Sequence, residues 1–242
     1  MNLVIDVGNT YLKVAVFKND HLEHVESVLH KDSIDVLKKI DKDFDDLDKV
    51  IISSVSGFDT TAVENMFSRC KTVFLDHKTP LPFFNLYKTP KTLGVDRMAL
   101  VASAVKKFPN QNALIIDAGT CITFDFINEK KEYFGGSIAP GLLMRYKSLS
   151  HFTAKLPALT PKLPENDIGD CTENAIHVGV SGGIIAEING MINQFSNKYE
   201  HLVVILSGGD AKFLSKRLKN SIFVDPNFLL HGLNYILEHT ID

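Results

Sequence analysis

The chain reads as an α/β protein made of two similar domains, and three observations predict this. Short apolar strands alternate with amphipathic helices. One strand-and-turn segment occurs twice: Leu3-Val4-Ile5-Asp6-Val7-Gly8-Asn9-Thr10 is echoed by Leu114-Ile115-Ile116-Asp117-Ala118-Gly119-Thr120-Cys121. A polar turn containing a proline, Phe108-Pro109-Asn110-Gln111-Asn112, separates the two copies. Repeats this far apart indicate duplicated domains and not a solenoid, whose periods are shorter. The domains are expected at 1–110 and 111–242, facing each other across a cleft.

In chain order, Leu3 to Val7 reads as a buried strand and Tyr11 to Phe17 as a second, joined into a hairpin by Gly8-Asn9-Thr10. The acidic run Asp41 to Asp48 lacks the glycine turns that focus carboxylates on a metal, so it predicts a solvated turn or helix start. Val50 to Val55 and Lys71 to Leu75 read as strands. Between them lies a helix from Thr60 to Arg69, with Ala62, Val63, Met66 and Phe67 on one face. A helix from Asp96 to Lys107 closes the first half. In the second half Ile122 to Ile127 pairs with the repeated strand, and His201 to Ile205 is a further strand followed by a helix.

Composition narrows the function classes. Of 242 residues, 45% are hydrophobic and 23% charged, with a net charge of −3. Such a balance has the material for a core and lacks the basic stripe that nucleic acid or an anionic membrane surface requires. Three cysteines without C-x-x-C spacing predict neither a disulfide framework nor a zinc site. With no basic stretch ahead of a long apolar run and no segment near ~20 apolar residues, a cytoplasmic, soluble protein is expected.

An Asp-x-Gly hairpin can serve phosphate chemistry. Its glycine admits close backbone approach, and successive N–H groups form an anion-binding concavity. Asn9, Thr10 and Lys13 add donors and charge, while Asp6 can hold a hydrated Mg²⁺ that bridges phosphates. Two such hairpins would grip a nucleotide, and phosphoryl transfer needs little beyond positioning and charge neutralisation. Gly135 to Gly141 reads as a strand-to-helix connection, and Ser207-Gly208-Gly209-Asp210-Ala211 as a strand-to-helix turn that packs on a flat base or a ribose. Gly94-Val95-Asp96-Arg97 opens a helix; Asp96 is placed to accept a proton from an alcohol and Arg97 to hold an acidic acceptor. No Walker A loop or dinucleotide fingerprint accompanies them.

Asp6-Val7-Gly8-Asn9-Thr10, Gly94-Val95-Asp96-Arg97, Asp117-Ala118-Gly119-Thr120, Gly135 to Gly141 and Ser207 to Ala211 together resemble the ordered motif set of type III pantothenate kinases. The match spans residues 6 to 211, and the chain looks slightly short for that family. The resemblance implies two ribonuclease-H-like (actin-like) domains with a nucleotide cleft between them, a homodimer, and ATP-dependent phosphorylation of pantothenate. It implies ATP contacts at Asp6, Val7, Gly8, Asn9, Thr10, Tyr11, Leu12, Lys13 and Thr120, with Mg²⁺ held at Asp6 through the phosphates. Asp96 becomes the general base, and Tyr87, Gly94, Val95, Asp96, Arg97 and Thr172 contact pantothenate. Asp117 becomes the ligand of a monovalent cation, K⁺ or NH₄⁺. Two other readings compete: an actin-like kinase for a sugar or carboxylic acid, and a non-catalytic nucleotide-binding relative. The Gly94–Arg97 element opposes the first, and the presence of Asp6 and Asp96 the second. No histidine shows ligand spacing, and none is expected to have a role.

Overall fold

The computed structural model describes residues 1–54, 60–218 and 221–241. The chain divides into two compact units, Met1–Pro109 with Lys131–Tyr133 and the C-terminal helix, and Asn110–Lys130 with Phe134–Asn227.

In the first unit β1 (Asn2–Val7) buries Leu3, Val4, Ile5 and Val7 completely, because it is the central strand and is covered on both faces. β2 (Tyr11–Lys18) runs antiparallel to it, and β3 (His21–Leu29) antiparallel to β2. Asn19 and Asp20, both at positive φ, turn the chain between these last two strands. β3 alternates exposed and half-buried residues along its length, as an edge strand with one wet face must. α1 (Ser33–Asp43) turns Ser33, Leu37 and Ile40 inward, one helical face. β4 (Lys49–Ser54), α2 (Thr61–Met66) and β5 (Lys71–Phe74) complete the sheet in the order β3-β2-β1-β4-β5, with β1, β4 and β5 parallel. The acidic run ends α1 at Asp43 and does not begin a helix. The expected helix over 60–69 is shorter, and Val55, the expected end of β4, lies outside the described residues. Leu3, Ile5, Leu12, Val14, Leu37, Ile52 and Phe67 form this unit's core. Truncating one such side chain to alanine costs about 2–5 kcal/mol, against a total stability of about 5–15 kcal/mol.

β6 (Phe84–Asn85) pairs in parallel with Glu132 and Tyr133, and α3 (Val95–Lys107) follows, buried from Arg97 to Val105. The second unit then repeats the first. β7 (Ala113–Ala118) and β8 (Cys121–Ile127) form an antiparallel hairpin. β9 (Glu132–Pro140) flanks β8, while β10 (Val203–Ser207) and β11 (Phe223–Val224) run parallel beyond β7. The order β9-β8-β7-β10-β11 matches β3-β2-β1-β4-β5 strand for strand. Gly135 to Pro140, expected as a connection, is strand, and only Gly141 lies at the junction with α4 (Leu142–Phe152).

α5 (Thr172–His177), a π turn (Val178–Gly182) and α6 (Gly183–Ser196) form one helical run. The run Thr172–Ser196 is 25 residues long and its most apolar stretch has mean hydropathy 1.3, but His177, Glu187 and Asn189 interrupt it, so it is not a continuous apolar segment. Ile176, Val180, Ile184, Ile188 and Ile192 lie four apart and all face this unit's core, as in the core helix of a globular domain. A regular helix would carry that spacing steadily off the core face, and the wider π turn restores it. α7 (Ala211–Leu214) is a single turn.

The last helix, α8 (Phe228–Ile241), belongs to the first unit. It lies along α3 with Gly232 backed onto the Ala99 carbonyl. Lys49 reaches Glu238 at 2.9 Å, and Asn2 donates to Asn234 at 2.8 Å and also to Glu238. The two units part after Pro109, and Lys131–Tyr133 and the residues after 227 return to the first unit.

Candidate active site

The β1–β2 hairpin carries the first group of candidate side chains. Strand register sets Asp6 opposite Lys13 on β2 and beside Ser53 on β4. The turn closes through Gly8 N–H donating to Tyr11 O at 3.0 Å, which leaves Asn9, Thr10 and Tyr11 exposed at its tip. Burial pushes the Asp6 carboxyl up to about 6, against the pull of the Lys13 ammonium, and the Asp96 carboxylate drives it the same way. Asp6 and Asp96, 90 positions apart, thus lie within electrostatic reach in one unit.

Asp96 stands in the first turn of α3, behind Gly94 as N-cap residue. Its Oδ1 accepts the Arg97 backbone N–H at 2.8 Å, so its carboxylate is held by the helix start. A Cβ at position 94 would fall 2.3 Å from that oxygen, so Gly94 is the residue that leaves room for it. Arg97 is only 4% exposed. Its guanidinium lies 5.5 Å from the centre of the half-buried Tyr87 ring, and Tyr87 in turn stacks on the buried Tyr133. A guanidinium packed on an aromatic face can still donate N–H groups from its edge to a carboxylate. The fold therefore gathers Tyr87, Gly94, Val95, Asp96, Arg97, Asp6 and Lys13 within the first unit.

The second unit builds its hairpin differently. Asp117 pairs across from Thr123 and beside Ser207. The turn is one residue tighter, with Gly119 N–H donating to Cys121 O at 2.9 Å and Thr120 exposed. Thr123 Oγ1 is buried without a hydrogen-bond partner among the described residues. Gly141 N–H donates to Thr120 O at 3.1 Å, and Asp210 N–H to Ala118 O at 2.9 Å. A Cβ at Gly141 would fall 2.3 Å from Thr120 O; at Gly208, whose φ is +93°, it would fall 2.3 Å from Ala118 O. Both glycine segments thus brace this hairpin through backbone. Burial raises the Asp210 carboxyl above its usual range. Thr172 opens α5 and is exposed, with Cys171 at the N-cap.

Two residues carry contacts that the sequence did not announce. His30, directly after β3, reaches Gly8 O with Nε2 at 3.0 Å. Tyr146 hydroxyl bonds His177 Nδ1 at 2.7 Å and Ser181 Oγ at 2.9 Å inside the second core. Neither histidine has a nearby partner histidine or cysteine that would mark it in a linear reading.

The family described as type III pantothenate kinase matches residues 2–194. A type III pantothenate kinase of Christiangramia forsetii is 50% identical over 98% of this chain and 98% of its own, so the chain is not short beside it. Among solved structures, a Campylobacter jejuni protein assigned to the Baf family of transcriptional activators superposes with TM-score 0.67 at 19% identity, over 98% of both chains. A glucokinase from an Antarctic psychrotroph superposes with TM-score 0.53 at 10% identity, over 98% of both chains. These two share the fold, the actin-like and sugar-kinase pattern of duplicated ribonuclease-H-like units. By the extent of the family match and the identity over its full length, the chain belongs to the type III pantothenate kinase family.

Proposed function

We propose the following division of labour for a reaction that the family fixes, the transfer of a phosphoryl group from ATP to pantothenate in coenzyme A biosynthesis. One observation carries it: Asp6, on a phosphate-type hairpin, lies within electrostatic reach of Asp96, which sits beside a buried arginine. Backbone N–H groups of Asn9 and Thr10, with the Lys13 ammonium, hold the nucleotide phosphates, while Gly8 closes the turn beneath them and Val7, Tyr11 and Leu12 shape it. Asp6 supplies one hard oxygen, which suits a Mg²⁺ carried mainly by phosphates and water. When bound, that ion neutralises charge on the transferring group.

Arg97 pairs with the pantothenate carboxylate, and Tyr87, Gly94 and Val95 line the same pocket. As the pantothenate hydroxyl oxygen bonds to the γ-phosphorus, Asp96 takes its proton and the bond to the ADP oxygen breaks. Thr172 adds a substrate contact and Thr120 a nucleotide contact. Asp117 holds a monovalent cation, K⁺ or NH₄⁺, a role supported by its carboxylate and by the unmet Thr123 hydroxyl oxygen on the paired residue. The enzyme acts as a cytoplasmic homodimer. Leu143, Met144, Phe152 and Ile168, exposed from 40% to 83%, supply apolar surface for a second copy.

ADP release measured with ATP, Mg²⁺ and K⁺ tests the substrate, comparing pantothenate with glycerol, acetate and hexoses. Only pantothenate is expected to support turnover, and release with another acceptor would overturn the substrate. Asp96→Asn is expected to lower kcat by about 10²–10⁴ with ATP binding nearly intact, and an active variant would sink the base role.

A further inference from the structure

We propose that His30 is a positioning residue that sets the phosphate-binding turn, an inference that rests on the reading of Gly8 to Lys13 as the nucleotide hairpin. The Gly8 carbonyl can only accept, so the 3.0 Å contact requires His30 Nε2 to carry hydrogen and donate. Neutral and protonated imidazole can both do so. Because the peptide is planar and trans, fixing the direction of the Gly8 carbonyl fixes the Asn9 N–H pointing the opposite way. That N–H belongs to the tip of the turn, where Asn9 and Thr10 are exposed. His30 therefore holds one donor of the anion-binding concavity in place before any ligand arrives.

The duplicated fold supplies the independent argument. In the first unit His30 is the residue immediately after β3; in the second, Gly141 is the residue immediately after β9. β3 and β9 hold the same place in their sheets. Each of these residues donates to a carbonyl of the adjacent hairpin turn, His30 to Gly8 O and Gly141 to Thr120 O at 3.1 Å. The position after the third strand is thus a bracing post in both units, served by backbone in one and by imidazole in the other. His30 is itself held, since its carbonyl accepts the Ser33 hydroxyl at 2.7 Å.

The test is a pair of amide substitutions, because Gln places its nitrogen near Nε2 of histidine and Asn places its nitrogen near Nδ1. His30→Asn is expected to raise KM for ATP about tenfold, with KM for pantothenate within about twofold of the parent. His30→Gln is expected to recover most of that loss. The inference is overturned if both variants keep the parental KM for ATP. It is also overturned if both weaken ATP and pantothenate alike, with lowered thermal midpoints and no rescue by Gln. Lys13→Ala separates the two levels of the reading. If KM for ATP is unmoved by Lys13→Ala, the hairpin is not the nucleotide site. If Lys13→Ala raises it and His30→Asn does not, only the positioning role falls.

Discussion

The two hairpins begin from nearly the same sequence and end as different devices. In both, an aspartate closes the central strand, a serine lies beside it on the parallel neighbour, and a glycine opens the turn. Across from Asp6 stands Lys13; across from Asp117 stands Thr123. The first turn has three residues and is braced by one side chain, His30, while the second has two and is braced by the backbones of Gly141 and Asp210. Duplication fixed the strand order and left the partner of each aspartate free to change. An ammonium opposite the carboxylate suits a polyanion with its own divalent ion. An uncharged hydroxyl in the same place suits a bare monovalent cation, which a fixed ammonium would repel.

Exchanging that partner gives the strongest test of the contrast. Lys13→Thr, which makes the first hairpin resemble the second, is expected to cost about 10²–10³ in kcat/KM for ATP, the usual loss when one preorganised charge donor is removed. A loss below about threefold would mean that the two hairpins are equivalent after all. Bracing by backbone should show next. Gly208→Ala places a Cβ against Ala118 O at a positive φ. It is expected to destabilise the protein by about 2–4 kcal/mol in urea unfolding, and an unchanged midpoint would show that the second turn does not depend on close backbone approach.

A smaller effect has the opposite sign. The folded Asp6 carboxyl titrates at about 6, above the ordinary 3.8, so folding binds its proton more tightly than the unfolded chain does. Ionised Asp6 therefore costs the apoprotein stability as pH rises through that window, and the cost is complete above about pH 6. Asp6→Asn, measured with chelator and no nucleotide, is expected to be more stable than the parent by about 1–3 kcal/mol at about pH 7.5 and equal to it near pH 3. A difference that does not change with pH would remove the burial argument. The mildest effect is ionic. Replacing Na⁺ with K⁺ or NH₄⁺ is expected to raise turnover severalfold in the parent and not in Asp117→Asn, about 1 kcal/mol of stabilisation. Equal rates in all three salts would leave the second hairpin without its assigned ion.

How far the sequence reached depended on what kind of signal each segment carries. β1, β2, β7 and β8 were legible because central strands are continuous apolar runs ended by turn residues. β3 was not, since four of the six residues of His21-Leu22-Glu23-His24-Val25-Glu26 are polar and an edge strand asks little of its outer face. β9 was hidden by Gly135 and Gly136, which read as turn residues although here they lie within a sheet. Asp6, Asp96 and Asp117 were found through their turns and through the resemblance. The approach of Asp6 to Asp96 and the stacking of Arg97 on Tyr87 are long-range facts that no local pattern contains. His30 was missed because its partner is a backbone carbonyl, which every residue has.

The place of the final helix bears on how the protein is made. α8 lies along α3, the helix that presents Asp96 and Arg97, yet the ribosome reaches α8 only after the whole second unit. The first sheet can form early in translation, but the helix layer that steadies Asp96 and Arg97 waits for a segment more than a hundred residues away along the chain. Acquisition of activity during biosynthesis should therefore be a late, single event, and a ribosome stalled before α8 should hold a folded second unit beside a first unit still open on one face.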